Sequence, residues 1–416
     1  MKILWFSNCI LSDNIVKASG SWLYSMSRLL IEYKNIQLYN ITYGCVQNIT
    51  RSDSGKIIQW IIPEKIHLKK GLPFKNKILE IQKIIEYINP DIIHVWGMEY
   101  YWGLLSARGY INGEILLEIQ GIKSACSKEY FGGLNFVQIL KCFKIKELIK
   151  PCLFLFFQKK AFEKWGKYEK EMVCNHKNIS TQSDWVRAHI KNINNSAIIY
   201  ETRMSLREEF LEATPWVYPS NKALTIFTVL SSLVPYKGIH VLICSLALLK
   251  KRYPDLMLII AGECMINAPF YKRPGYTKYI INLIKQHDLS SNISFLGPID
   301  AQNMIINMQM SHVNVIPSFV ESYSLSFAES MAVGIPCVVS FAGAMTELAK
   351  DEESALFYSP NDSVKCADQI ERLYNSTNLS DKISMSARNI AHNRNSSVSV
   401  IEQQISIYKS IIKNKE

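Results

Sequence analysis

The sequence predicts an α/β protein of two Rossmann-like, doubly wound units that face each other across a cleft. Three observations carry that expectation. Short apolar runs alternate with amphipathic stretches through the first half of the chain. The same alternation starts again at Leu224. Between the halves lies Glu201–Asn221, which holds Pro215 and Pro219 and suits a hinge. Strands and helices in this rhythm build parallel sheets, and ligands of such sheets bind beyond the carboxyl ends of the strands.

Each element has its own local reason. Ile3–Phe6 is a buried strand, and Ser19-Gly20-Ser21-Trp22 opens a helix running to Tyr33. Ile36–Tyr43 returns as a strand. Ile78–Ile88 has helical spacing and stops before Asn89-Pro90. Asp91–Trp96 is a strand ending at Gly97, and Ile115–Ile119 is another, ending at Gln120-Gly121. Lys177–Ser180 is one more strand before a helix from Asp184. In the second half, Leu224–Leu230, Leu256–Ala261, Ile293–Leu296 and Val313–Ile316 are strands, with helices at His240–Arg252 and Tyr276–His287. The last helix, Val398 to Lys413, is amphipathic and is expected to cross back to the first domain. The expected domains are therefore 1–205, 206–397 and a terminal helix in 398–416.

Composition narrows the class. The chain has 416 residues, 48% of them hydrophobic, which supports large cores and argues against general disorder. A net charge of +11 favours acidic partners such as nucleotide phosphates or an anionic membrane. The ten cysteines form no C-x-x-C pair, so zinc and a disulfide framework are poorly supported and a reducing cytoplasm fits. MKILWFSNCI turns polar too early for a signal peptide, and no apolar run reaches the roughly 18 residues of a membrane span. Residues 137–172 mix aromatic clusters with lysines. That composition suits a helix lying in an anionic membrane interface, and equally a buried helical pair with a solvated lysine face.

The densest chemistry lies in 317–347. Glu321 follows the strand Val313–Ile316, and seven residues separate it from Glu329. Ser326-Phe327-Ala328-Glu329 matches a capping box, predicting a helix start at Ser326. Gly334 suits the helix end and Pro336 forbids continuation before the strand Cys337–Ser340. Free N–H groups at such a helix start favour phosphate. The plainer alternative makes Glu329 a cap and Glu321 a solvated loop acid. Lys237, in Leu233-Val234-Pro235-Tyr236-Lys237-Gly238 after a strand, stands where a cation meets a diphosphate.

These segments resemble the retaining glycosyltransferases of the GT-B fold, family 4 (group 1). The resemblance is strongest over about 224–365. It rests on Glu321-x7-Glu329 with Ser330-Met331-Ala332-Val333-Gly334-Ile335-Pro336, the Lys237 loop, Leu258–Gly262, Asn292–Gly297 and Gly343-Ala344-Met345-Thr346-Glu347. Gly20-Ser21-Trp22 and Pro90–Val95 resemble first-domain motifs.

The resemblance implies roles. Glu329 would accept the ribose hydroxyls, Glu321 would orient the sugar or stabilise charge at its anomeric carbon, and Lys237 would neutralise the departing diphosphate. Ser324, Leu325, Ser326, Gly20 and Gly262 would line the donor, and Gly297 and Ile299 would flank the base. Gln120, Trp96, Glu99 and His94 are the candidates for acceptor or sugar contact, although a His in an apolar strand is more often a core group.

The departures are specific. Ser231 and Ser232 replace the family's Gly-Arg, removing one phosphate-binding cation for which Arg203, Lys272 or Arg273 are stand-in candidates. Ser324 replaces a Gly, and Gln120 replaces a His and cannot act as an acid or base near neutral pH.

The expected activity is a metal-independent, hexosyltransferase-type transfer from a nucleotide-diphosphate sugar to a glycan or lipid-linked glycan in bacterial surface polysaccharide synthesis. No cofactor or metal is expected, and no nucleic-acid partner. The expected place is the cytoplasm, with a peripheral position on the inner face of the plasma membrane if 137–172 meets lipid. Alternatives are a sugar-nucleotide epimerase on the same fold, or a non-enzymatic basic nucleotide- or nucleic-acid-binding protein. No Lys/Arg tract supports the last.

Overall fold

A computed structural model describes residues 1–12, 21–143, 154–269 and 271–413. Gly20, part of 137–172 and the terminal three residues lie outside the described residues. Contacts divide the chain into two compact units. The first comprises Met1–Ser124, Lys164–Leu206 and Asn395–Glu416, and the second Ala125–Glu163 and Arg207–Arg394.

In chain order, the first half contains β1 (Lys2–Phe6), α1 (Ser21–Ile31), β2 (Gln37–Gly44), β3 (Thr50–Ser54), β4 (Ile57–Pro63) and α2 (Lys75–Ile88). There follow β5 (Ile92–Trp96), α3 (Trp102–Ala107), β6 (Ile115–Ile119), α4 (Lys123–Lys128), α5 (Phe136–Lys141) and α6 (Leu155–Cys174). It closes with β7 (Asn178–Thr181), α7 (Asp184–Ile193) and β8 (Ile198–Glu201). Their eight-stranded sheet has the order β3-β4-β2-β1-β5-β6-β7-β8. All its pairings are parallel except β3 with β4. β5 is buried along its whole length, as a strand covered on both faces must be. The β3–β4 hairpin was not foreseen. β3 is a mostly exposed strand, TRSDS, with no apolar face to betray it.

The second half contains α8 (Glu208–Glu212), β9 (Thr225–Leu230), a 3-10 turn (Pro235–Lys237), α9 (Ile239–Leu249), β10 (Met257–Gly262) and α10 (Gly275–Gln286). Next come β11 (Ile293–Gly297), α11 (Ala301–Gln309), β12 (Val313–Ile316), α12 (Leu325–Val333), β13 (Cys337–Ser340), α13 (Met345–Leu348) and β14 (Leu356–Tyr358). The helices α14 (Ser363–Asn375), α15 (Thr377–Arg394) and α16 (Ser397–Lys413) close the chain. The second sheet is wholly parallel, in the order β11-β10-β9-β12-β13-β14. Its winding reverses between β9 and β12.

Two segments group away from their sequence neighbours. Residues 125–163, placed with the first domain from sequence, group with the second unit. Tyr130, Leu134, Ile139, Cys142 and Leu155 share one apolar cluster with α9, α10 and β9. Gly132, at φ +55°, lets the chain lie against the Pro235 carbonyl, where a Cβ would come within 2.2 Å. The His240 imidazole bridges the Gly132 carbonyl (2.9 Å) and the Tyr276 hydroxyl (2.8 Å). Helix α16 groups with the first unit. Its buried Tyr408 hydroxyl accepts from Trp5 Nε1 at 3.1 Å and meets His94 Nδ1 at 2.7 Å. Among the described residues, no helix is long and apolar enough to cross a membrane.

Candidate functional site

The winding reverses between β9 and β12, and open parallel sheets hold ligands in the crevice beyond the carboxyl ends of the strands at such a point. Lys237 follows β9 and Glu321 follows β12. They meet there, with Lys237 Nζ 2.7 Å from Glu321 Oε1. Ser318 Oγ donates to the same oxygen at 2.7 Å. Both side chains remain partly accessible, at 20% and 14%.

The backbone explains the meeting. Gly238, at φ +72°, lets the Lys237 turn touch the Pro317 carbonyl, where a Cβ would lie 1.8 Å away. Phe319 N–H donates to the Tyr236 carbonyl at 2.8 Å and ties the two loops together. Ala344 N–H donates to the Glu321 carbonyl at 2.9 Å, and Gly343 permits that approach.

Helix α12 starts earlier than the capping box predicts. Ser324 is its N-cap, and its hydroxyl accepts from Phe327 N–H at 3.4 Å. Ser326 therefore lies inside the first turn, with its hydroxyl 3.3 Å from that of Ser324. Glu329 caps nothing. Its carboxylate takes both arms of Arg207, with Nε on Oε1 and Nη2 on Oε2, each at 2.8 Å. A bidentate charged pair outcompetes a neutral cap. Gly334 ends the helix at φ +92°, as expected. Arg207 is 122 residues away in sequence, within the Pro-containing stretch between the two halves, and no local signal marks it.

The other donor-side candidates separate. A Cβ on Gly262 would lie 1.9 Å from the Leu230 carbonyl, so this glycine serves strand packing. Gly297, at φ +74°, has open space beside its Cα, and Ile299 is half-buried just before α11. The stand-in cations have local partners of their own. Arg203 bonds Ser399 Oγ at 2.9 Å within the first unit. Arg273 donates to the Ala268 carbonyl at 2.6 Å, and exposed Lys272 sits over the Tyr271 ring.

In the first unit, two of the acceptor candidates are core groups. His94 is fully buried, with its Nε2 3.7 Å from Glu118 Oε2. Burial pushes its pKa down, against the pull of Glu118. Trp96 ends β5 at 2% exposure, stacked on His94 and edge-on to Trp5 and Trp22. Because β5 is covered on both faces, both side chains are buried, and neither is open to the acceptor or sugar contact expected of it.

Glu99 and Gln120 differ. Both are half-buried at the carboxyl ends of β5 and β6. Burial pushes the Glu99 carboxyl up to about 7, against the backbone N–H groups of Glu99 and Gly121 and the charge of Lys123. Its Oε2 is buried with no hydrogen-bond partner among the described residues. A Cβ on Gly97 would lie 2.1 Å from that oxygen and 3.4 Å from Gln120 Oε1, so the two side chains share one spot. Sequence reasoning missed Glu118. This fully buried acid accepts from Ser180 Oγ, from Gln182 Nε2 at 3.0 Å and from Thr202 Oγ1 at 2.8 Å, a set spread over three strand ends.

Comparison with known proteins bears on the family and the fold. Residues 212–390 match the family model described as glycosyl transferases group 1. A D-inositol 3-phosphate glycosyltransferase of Pseudarthrobacter chlorophenolicus is 30% identical over 140 residues, 33% of this chain and 31% of that protein. The chain thus aligns with about a third of that relative's length. Among solved structures, sucrose-phosphate synthase from Thermosynechococcus elongatus superposes with a TM-score of 0.72, covering 99% of each chain at 15% identity. Anabaena HepE in complex with UDP-glucose does so with a TM-score of 0.67, covering 99% of this chain and all of that one (100%) at 15% identity. At such identities the likeness speaks for the fold.

Proposed function

We propose, from the match of residues 212–390 to the glycosyl transferases group 1 model and from the GT-B fold, a retaining transfer of a sugar from a nucleotide-diphosphate donor to a glycan or lipid-linked glycan. The single observation that carries the reading is the Lys237–Glu321 pair at the β9/β12 crevice.

The donor diphosphate seats against Lys237 and the N-terminus of α12, where Ser324, Leu325 and Ser326 present the first turn. Glu329 accepts from the ribose hydroxyls. When the bond from the anomeric carbon to the diphosphate breaks, negative charge grows on the leaving oxygens and positive charge on the sugar. Lys237 stabilises the first and Glu321 the second, and both are already in place. The acceptor hydroxyl bonds to the anomeric carbon on the face the diphosphate leaves, and its proton passes to a departing phosphate oxygen. Configuration is kept. Lys237 and the helix supply the positive charge, so this route calls on no metal or organic cofactor. Within the first unit, Gln120 and Glu99 are the groups able to bind a sugar hydroxyl.

The acceptor would belong to surface glycan synthesis at the cytoplasmic face of a membrane. Exposed Phe136, Val137, Leu140 and Phe157, interspersed with exposed Lys141 and Lys160, support lipid contact. Anionic vesicles should co-sediment the protein, and equal binding to neutral vesicles at high salt would remove that part.

The function itself is tested by a thermal-shift panel of UDP-, GDP- and ADP-sugars, followed by NMR of the product from the best donor. Transfer with retained anomeric configuration is the expected result. Inverted product would sink the retaining assignment, and epimerised donor without any acceptor would favour an epimerase.

A further inference from the structure

Arg207 is unassigned by the motif, yet it holds one of the motif's two glutamates. Its guanidinium grips both Glu329 oxygens at 2.8 Å, and Nη2 also reaches Met304 Sδ at 3.5 Å. The cation lies 4.4 Å over the Phe210 ring. The side chains of Arg207 and Glu329 are only 12% and 6% exposed. The pair is therefore clamped from α8, α11 and α12 at once. The α12 side is fixed further, because Asn314 Nδ2 donates to Ser330 Oγ at 2.7 Å and Trp216 N–H donates to the Val333 carbonyl at 3.0 Å.

We propose that Arg207 is a positioning residue for nucleotide recognition, orienting the Glu329 carboxylate toward the ribose hydroxyls and cancelling its charge beside the diphosphate. This rests on Glu329 being the ribose acceptor. Two arguments carry it. A carboxylate has about four lone-pair sites, and a bidentate guanidinium takes one on each oxygen. The remaining sites stay open and fixed in direction, ready for two hydroxyl donors. The second argument is charge. A bare carboxylate near a diphosphate repels it, and each motif glutamate here has its own cation: Lys237 for Glu321 and Arg207 for Glu329. Lysine could supply the charge but not the planar fork.

The test is isothermal titration with the nucleoside diphosphate among UDP, GDP and ADP that gives the largest thermal shift, and with its 2′,3′-dideoxy analogue. The wild type should prefer the ribose form by about tenfold or more, the worth of a hydrogen bond to a charged group. Arg207→Lys should reduce that preference to within about twofold while leaving the dideoxy affinity unchanged. Should Arg207→Ala alone fail to fold around an unpaired acid, the double variant Arg207→Ala/Glu329→Gln removes that charge and should match Glu329→Gln alone. An undiminished ribose preference in Arg207→Lys, with the preference lost in Glu329→Gln, overturns the role of Arg207 and leaves Glu329 as ribose acceptor. A ribose preference untouched in Glu329→Gln overturns both.

Discussion

Glu99 and Glu321 are two glutamates in opposite electrostatic settings. Glu321 is paired with Lys237 and accepts from Ser318, whereas Glu99 has one oxygen buried and unpartnered. Burial raises the Glu99 carboxyl to about 7, so the folded chain binds a proton there that the unfolded chain gives up near 4.5. The cost of charging it is absent below about 4.5 and fully present above about 7. Glu99→Gln should therefore raise the melting temperature at pH 8 and leave it unchanged at pH 4. If Glu99 holds an acceptor hydroxyl, KM for acceptor should fall as pH rises through 7 in the wild type and stay flat in the variant. Glu321, Glu329 and Lys237 were legible in sequence because each sits in a short, patterned segment. Arg207 and Glu118 were not, since their partners lie 122 and 62–84 residues away.

At the scale of elements, most strands and helices followed from their apolar period. The exceptions have physical causes. Helix α12 begins at Leu325 because Ser324 takes the cap and Arg207 draws Glu329 away. The 125–163 segment carries helical composition in either unit, and only three-dimensional packing decides where it joins. His240 is central to that packing, stacked on Phe319 and bonded to Gly132 and Tyr276. Burial lowers its pKa to about 4, against the Gly132 hydrogen bond. Its stabilising contribution is full above about 6.5 and lost as pH falls toward 4. His240→Gln should be less sensitive to acid across that window than the wild type, as read by urea unfolding at pH 7, 5.5 and 4.5. Identical pH dependence in the two proteins would show that this contact does not carry the acid response.

At the scale of the whole molecule, each sheet reverses its winding once, between β1 and β5 in the first unit and between β9 and β12 in the second. The second reversal carries Lys237 and Glu321. Helix α16 groups with the first unit, where the Tyr408 hydroxyl meets Trp5 Nε1 and His94 Nδ1. Tyr408→Phe leaves both nitrogens without that oxygen and should cost about 1–3 kcal/mol in unfolding free energy. A change within experimental error would mean that the Tyr408 contacts add nothing net.

The central claim is that Lys237 and Glu321 form a transferase centre for a nucleotide-diphosphate sugar. Its most direct measurement is the turnover of the best donor by wild type and Lys237→Ala, with melting temperatures taken alongside. The expected result is a loss in kcat of about a hundredfold or more, the scale of removing one preorganised charge partner, with the fold retained. Unchanged kcat in a folded Lys237→Ala protein would contradict the account.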